Sequence, residues 1–365
     1  MNNNKISFAV AAALGTAVLL PLPANAGGTI EFGGGKSVSV GAGLRTSMNS
    51  VEKGALNGTD DSSDFLVDSV RLYVNGNIHE NIKFTFNTER DGSSGVDGDM
   101  RVLDAIAQFE FSEMANVWFG RFLPPSDRSN LDGPYYLNAW NFPSAQAYPA
   151  IFAGRDNGIA VWGQTGGGQF KYQAGLFNGT GETGATPPNQ KDETELALRL
   201  TYNAWDPEPG YYNSSTYYGE KDILAIGVAM MTQSDALGTT AAPRDFTGVS
   251  VDGLFEKKLG NSGVATVEAA YYDYDRGATG SDSDAYFVLG SYLFPQKVGI
   301  GQLQPMVRVQ NIDVSGAGVD TDITELGLNY IIDGHNARIS FVIGNTETTP
   351  GTDANSFQIG AQLQI

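Results

Sequence analysis

Along most of this chain apolar and polar residues alternate one for one, and that period constrains the fold more than any other feature. Val38, Val40, Ala42 and Leu44 fall on one face while Ser39, Gly41, Gly43 and Arg45 fall on the other. Val70, Leu72 and Val74 alternate with Arg71 and Tyr73, and Ile82, Phe84 and Phe86 with Lys83, Thr85 and Asn87. The pattern returns at Leu103–Phe111, Leu196–Tyr202, Val264–Ala270 and Phe357–Ile365. Successive side chains of a β-strand point to opposite faces, so a period of two predicts strands. No segment beyond residue 26 sustains a helical period, and an all-β chain is expected.

Sixteen strands are predicted, near 37–48, 65–76, 82–90, 101–111, 116–123, 157–164, 169–178, 193–203, 222–232, 245–257, 263–274, 283–294, 303–313, 322–332, 336–344 and 355–365. Their connections follow a rhythm. Long polar ones (49–64, 91–100, 124–156, 179–192, 233–244, 275–282, 314–321, 345–354) alternate with short ones (77–81, 112–115, 165–168, 258–262, 333–335). Only 204–221 and, mildly, 295–302 break it. Long loops at one end and short turns at the other characterise a transmembrane antiparallel β-barrel of the outer membrane, with an even strand number. A soluble β protein would alternate in the same way, and alternation does not say which face is apolar. The rhythm and the closing strand Phe357–Ile365 favour the membrane, although an aromatic would be the more usual last residue than Ile365.

Residues 1–26 read as a cleaved export signal. Lys5 precedes the uncharged run Phe8–Leu20, too short to span a bilayer, and Ala24-Asn25-Ala26 supplies a small-x-small cleavage site. Residues 27–365 then form one outer-membrane β-barrel domain. The chain carries 22 basic and 41 acidic residues, a net charge of -19, which argues against a nucleic-acid partner. With no cysteine there are no disulfides or thiolate metal sites. Asp60-Asp61, Asp97-Gly98-Asp99 and Asp273-Tyr274-Asp275 lack the spacing of a dedicated calcium loop and read as acidic turns. His79 and His335 are the only histidines, both at predicted short turns, so no catalytic triad or zinc site is expected, and neither enzyme chemistry nor a cofactor.

The run Phe119-Gly120-Arg121-Phe122-Leu123-Pro124-Pro125 leads into Asn130-Leu131-Asp132-Gly133-Pro134-Tyr135-Tyr136, then Tyr148-Pro149-Ala150 and Gly154-Arg155-Asp156-Asn157-Gly158. This resembles the third-loop region of the phosphate-selective porin O/P-like family of bacterial outer-membrane porins. Trp205-Asp206-Pro207-Glu208-Pro209-Gly210-Tyr211-Tyr212 and Lys221–Ala225 are similar to it too. The resemblance is one of pattern, over nearly the whole chain beyond residue 26. It implies a sixteen-stranded, homotrimeric porin, embedded in outer-membrane lipid and passing small hydrophilic solutes or ions. It also accounts for the length of 204–221.

Connection 124–156 is the longest; its five prolines restrict the backbone, and Tyr135, Tyr136, Trp140, Phe142 and Tyr148 can pack. A long structureless loop in a compact domain is usually functional, and it is expected to fold into the lumen as a constriction. Arg45, Arg71 and Lys83 share the polar phase of their strands, Arg121 sits on the fifth strand, and Arg128 and Arg155 bracket the loop. Asp127, Asp132 and Asp156 would oppose them, giving a transverse field that sorts solutes by charge. The alternative is that these pairs only brace the loop. A phosphate channel needs a ladder of cations, and this chain offers only a partial cluster, so phosphate selectivity is not carried over. A barrel sheathing a periplasmic partner is the other reading; it requires an open lumen.

Overall fold

The computed structural model describes residues 27–90, 98–147, 154–277, 282–315, 317–351 and 353–365; the predicted leader over 1–26 lies outside them. The elements run β1 Gly28–Gly33, β2 Lys36–Val51, β3 Ser62–His79, β4 Ile82–Arg90, β5 Met100–Ser112, β6 Ala115–Phe122, α1 Arg128–Asp132, β7 Asp156–Thr165, β8 Phe170–Phe177 and β9 Glu195–Asn203. They continue as β10 Ile223–Thr239, β11 Ala242–Lys258, β12 Val264–Asp275, β13 Ser283–Leu293, β14 Lys297–Val298, β15 Gly301–Val314, β16 Val319–Asp333, β17 Ala337–Thr349 and β18 Asp353–Gln364.

Each of the sixteen expected strands is present, as β2–β13 and β15–β18. Every pairing is antiparallel between chain neighbours, and the sheet closes where β18 meets β2, with Gln362 opposite Arg45 and Gln364 opposite Gly43. Closure leaves none of the sixteen barrel strands at a sheet edge, which the hydrocarbon of a bilayer demands. Two short strands escape a reading by alternation. β14 is a two-residue ladder against β15. β1 pairs with the start of β2, Gly28 opposite Val40, and occupies the row that β18 vacates at Ile365.

Three of the expected long connections are corrected. At 233–244 the strands pair on until Thr239 faces Ala242. At 314–321 pairing reaches Val314 opposite Val319, and at 345–354 β17 runs to Thr349 before β18 resumes at Asp353. Polar composition reads as loop there, but the polar side chains bond across the ladder instead: Asn311 donates to Asp320 (2.7 Å) and Asp322 (3.0 Å), and Asn345 to Asp353 (2.8 Å). Strands such as β3, with 18 residues, therefore exceed the ~9–11 that cross a membrane and stand clear of it.

The faces divide by polarity. On β2, Leu44 is 40 % exposed and its neighbour Arg45 is 5 % exposed. Leu224, Ile226, Val228 and Met230 on β10 likewise face out. Arg308 and Gln310 on β15, Ser340 on β17 and Gln362 on β18 are buried inside. A water-soluble barrel would invert this arrangement, so the apolar surface faces lipid. Val228→Arg, in the middle of the β10 outward row, is expected to lower the unfolding free energy in lipid vesicles by about 2–4 kcal/mol. Urea titration of the vesicle-inserted protein measures it, and no change would contradict a lipid-facing Val228.

Candidate functional site

Two connections, one from each end of the barrel, run against the inward-facing side chains. The first joins β6 to β7. Its backbone is not part of a ladder, so its carbonyls need donors, and arginines supply them. Arg338 of β17 donates to the carbonyls of Leu137 (2.6 Å), Asn138 and Ala139 (both 3.3 Å). Arg45 of β2 donates to the Trp140 carbonyl and lies 4.0 Å from the Trp140 ring centroid. Arg308 of β15 donates to Asn141 (2.8 Å) and pairs with Glu325 of β16. Glycines on the wall seat the aromatics: a Cβ at Gly43 would stand 2.7 Å from the Tyr135 ring, and one at Gly360 would overlap Trp140.

The second connection, 204–222, joins β9 to β10. Tyr211 stacks on Trp118 (4.6 Å between ring centroids, 25° between planes) and donates to the Leu123 carbonyl at 2.9 Å. The two connections meet at Arg128. Its guanidinium grips Glu208 bidentately, with one arm at 2.8 Å, and also donates to the Ser214 carbonyl at 2.8 Å. Both side chains are 1 % exposed. Beside them Arg199 of β9 holds Asp252 of β11 at 2.5 and 2.9 Å and donates to the Ser126 carbonyl at 2.9 Å. Ser215 donates its backbone N–H to Tyr136 at 3.2 Å.

Burial alone would raise the Glu208 carboxyl, but the Arg128 guanidinium holds it down to about 2. Burial, reinforced by the neighbouring Glu268 carboxylate, pushes Asp132 well above the usual carboxylate range. His335, at the turn between β16 and β17, sits between Tyr136 and Tyr218 with both ring centroids at 4.8 Å, and withdrawal from water lowers its imidazole to about 4.

The expected site residues now have places. Arg71 pairs with Glu89 (2.6 Å), Lys83 with Glu110 (2.6 Å) and Arg155 with Asp104 (3.1 Å). Asp127 accepts from Ser129 (2.6 Å), Gln146 (2.5 Å) and Tyr272 (2.8 Å). Asp132 accepts from Asn213. Asp156 binds the Gly179 N–H at 2.5 Å, holding the start of the β8–β9 loop. Arg121 is half-buried and shares the strand phase of exposed Phe119, not of buried Trp118 and Phe122. Asp60 lies in a turn, accepting from Asn57, while Asp97 and Tyr148–Ala150 lie outside the described residues. Arg199, Arg308 and Arg338 are absent from the expected set, yet each follows from alternation, lying one position from the outward residues Leu198, Val307 and Ile339. Between the two connections and the β3–β5 wall remains a cavity of about 490 Å³ that reaches the turn at 334–336.

The phosphate-selective porin O and P family matches residues 38–221. No curated protein sequence matches significantly. Solved structures share the fold. The anion-selective porin from Comamonas acidovorans is 14 % identical over 90 % of this chain and 100 % of its own, with a TM-score of 0.64. OprB of Pseudomonas putida is 10 % identical over 91 % and 94 %, with a TM-score of 0.64. The trimer form of OmpT, an outer membrane protein of Vibrio cholerae, is 16 % identical over 91 % and 100 %, with a TM-score of 0.56.

Arg128→Ala would strand a buried Glu208 charge, and a loss of about 3–5 kcal/mol is expected; denaturation in detergent, followed by tryptophan fluorescence, reads it, and a change within error would show that the pair is not buried. The His335 imidazole is expected to titrate near pH 4 by NMR. Between its ordinary 6.5 and 4 the unfolded chain holds a proton that the folded chain lacks, so stability falls as pH drops through that window. A midpoint at or above 6.5 would contradict the enclosure.

Proposed function

This chain belongs to the phosphate-selective porin O and P family and is an outer-membrane porin, and we propose that it passes small hydrophilic solutes and ions by passive diffusion with weak charge preference. One observation carries the weak preference. Among the described residues the seven buried arginines, Arg45, Arg71, Arg128, Arg155, Arg199, Arg308 and Arg338, are all engaged by a carboxylate or a backbone carbonyl. A cation already satisfied adds little field for a passing anion, whereas phosphate binding calls for guanidiniums free to form bidentate contacts. The third-loop connection acts as the constriction, which its bonds to Arg45, Arg308 and Arg338 across the barrel support. An occupied lumen counts against a sheath around a protein partner. Residues 1–26 act as the export leader, and the working unit is a homotrimer, in keeping with the fold shared with an outer membrane protein seen in a trimer form.

In a planar bilayer the purified protein is expected to give ohmic conductance. In a KCl gradient its reversal potential should lie close to zero, with chloride current indifferent to added phosphate. Saturable block of that current by phosphate would overturn the weak-preference reading and restore an anion-specific one.

A further inference from the structure

The cavity between the connections and the β3–β5 wall has a lining unlike that of an anion path. At about 490 Å³ it lies in the range of small-molecule sites, roughly 300–1,000 Å³. Five tyrosines face it: Tyr73, Tyr136, Tyr212, Tyr217 and Tyr218. Three of them come from connection 204–222, so its length is what brings the rings there.

The charged groups of the floor are closed on themselves. Arg71 is taken by Glu89 and Arg155 by Asp104. Asp132 is held by the Asn213 amide, and burial and the neighbouring Glu268 raise its carboxyl. The floor also carries the amides of Asn75, Asn87, Asn213 and Gln364, with Leu131 and His335 beside them. Five lining residues also carry a buried atom with no hydrogen-bond partner: Asn87 Oδ1, Asp132 Oδ2, Tyr218 Oη, His335 Nδ1 and Gln364 Oε1. Buried polar atoms left unmet are costly, and a ligand rich in hydroxyls relieves them. The exposed rim carries Glu220 and Asp333.

An anion would meet an acidic rim and then guanidiniums already committed to carboxylates. An organic cation would be drawn to the rim and the rings but would find Asp104 already paired with Arg155 and Asp132 held by the Asn213 amide. A hydroxyl both donates and accepts, which matches a floor where amides and closed ion pairs stand side by side. A saturated ring also offers a flat C–H face to a tyrosine. We propose that this cavity is a subsite for a neutral, hydroxyl-rich cyclic solute of the sugar class, one or two rings in size. The proposal rests on the diffusion reading above and refines it.

Glucose and maltose, added to purified full-length protein in a planar bilayer, test it. Each is expected to reduce the KCl current saturably, beyond the fall set by solution conductivity, with acyclic sorbitol weaker. Tyr212→Ala is expected to weaken half-block roughly three- to tenfold, the worth of one ring contact; Tyr136→Ala serves as the second variant if the first does not insert. Normal conductance with no saturable sugar effect overturns the subsite and leaves the channel intact. Absence of any conductance overturns both readings. Equal block by sorbitol and glucose overturns the ring-stacking assignment.

Discussion

Arg128 carries a full positive charge at a point where water does not reach. Removing a guanidinium from water costs several kcal/mol even after the protein relaxes, and only a well-placed carboxylate with further hydrogen bonds offsets it. Glu208 provides that carboxylate, and Ser214 and Tyr217 complete the shell around the pair. The two partners belong to connections that start at opposite ends of the barrel. Neither connection has a sheet of its own to rest on, so the position of each depends on the other through this pair. The neighbouring Arg199–Asp252 pair ties the junction to the wall, with Asp252 also accepting the Arg128 backbone N–H at 3.2 Å.

The remainder of the interior follows the same logic. The outside of the barrel must be apolar to sit in lipid, so the inside inherits the polar phase of every strand. A polar interior is stable only when each group is matched, and here the wall's arginines are matched largely by the backbone of the third-loop connection. Arg338, Arg308 and Arg45 act along five consecutive residues, 137–141. Such arginines brace the third-loop connection, and by the same bonds they are not free to form an anion ladder. The family's name and this chain's charge economy thus diverge at particular side chains.

The strands were legible because period two reports a local property: which face each residue takes. All sixteen barrel strands follow from it, as do the inward phases of Arg45, Arg71 and Lys83. The extended hairpins beyond the membrane were not, because Thr, Asn and Asp pair across a ladder there while their composition reads as loop. Partner choice was not legible either. Arg128 and Glu208 are 80 residues apart, and nothing in the sequence says that 204–222 turns inward to meet the loop. The tyrosines and prolines of that connection were the visible trace of its packing. The glycines that seat Tyr135 and Trp140 were visible too, since Gly43 lies on the inward phase, but the aromatic that fills the space comes from a distant loop.

The meeting of the two connections can be measured directly, because the chain has no cysteine of its own. Tyr136 and Ser215 lie on different connections and share a backbone hydrogen bond of 3.2 Å, so the two backbones run within the short reach that a disulfide requires. With Tyr136→Cys and Ser215→Cys combined in the folded, membrane-inserted protein, mild oxidation is expected to yield a near-complete crosslink, seen as a shift on a non-reducing gel. Two thiols that stay separate and label freely with maleimide in the folded barrel would contradict the account.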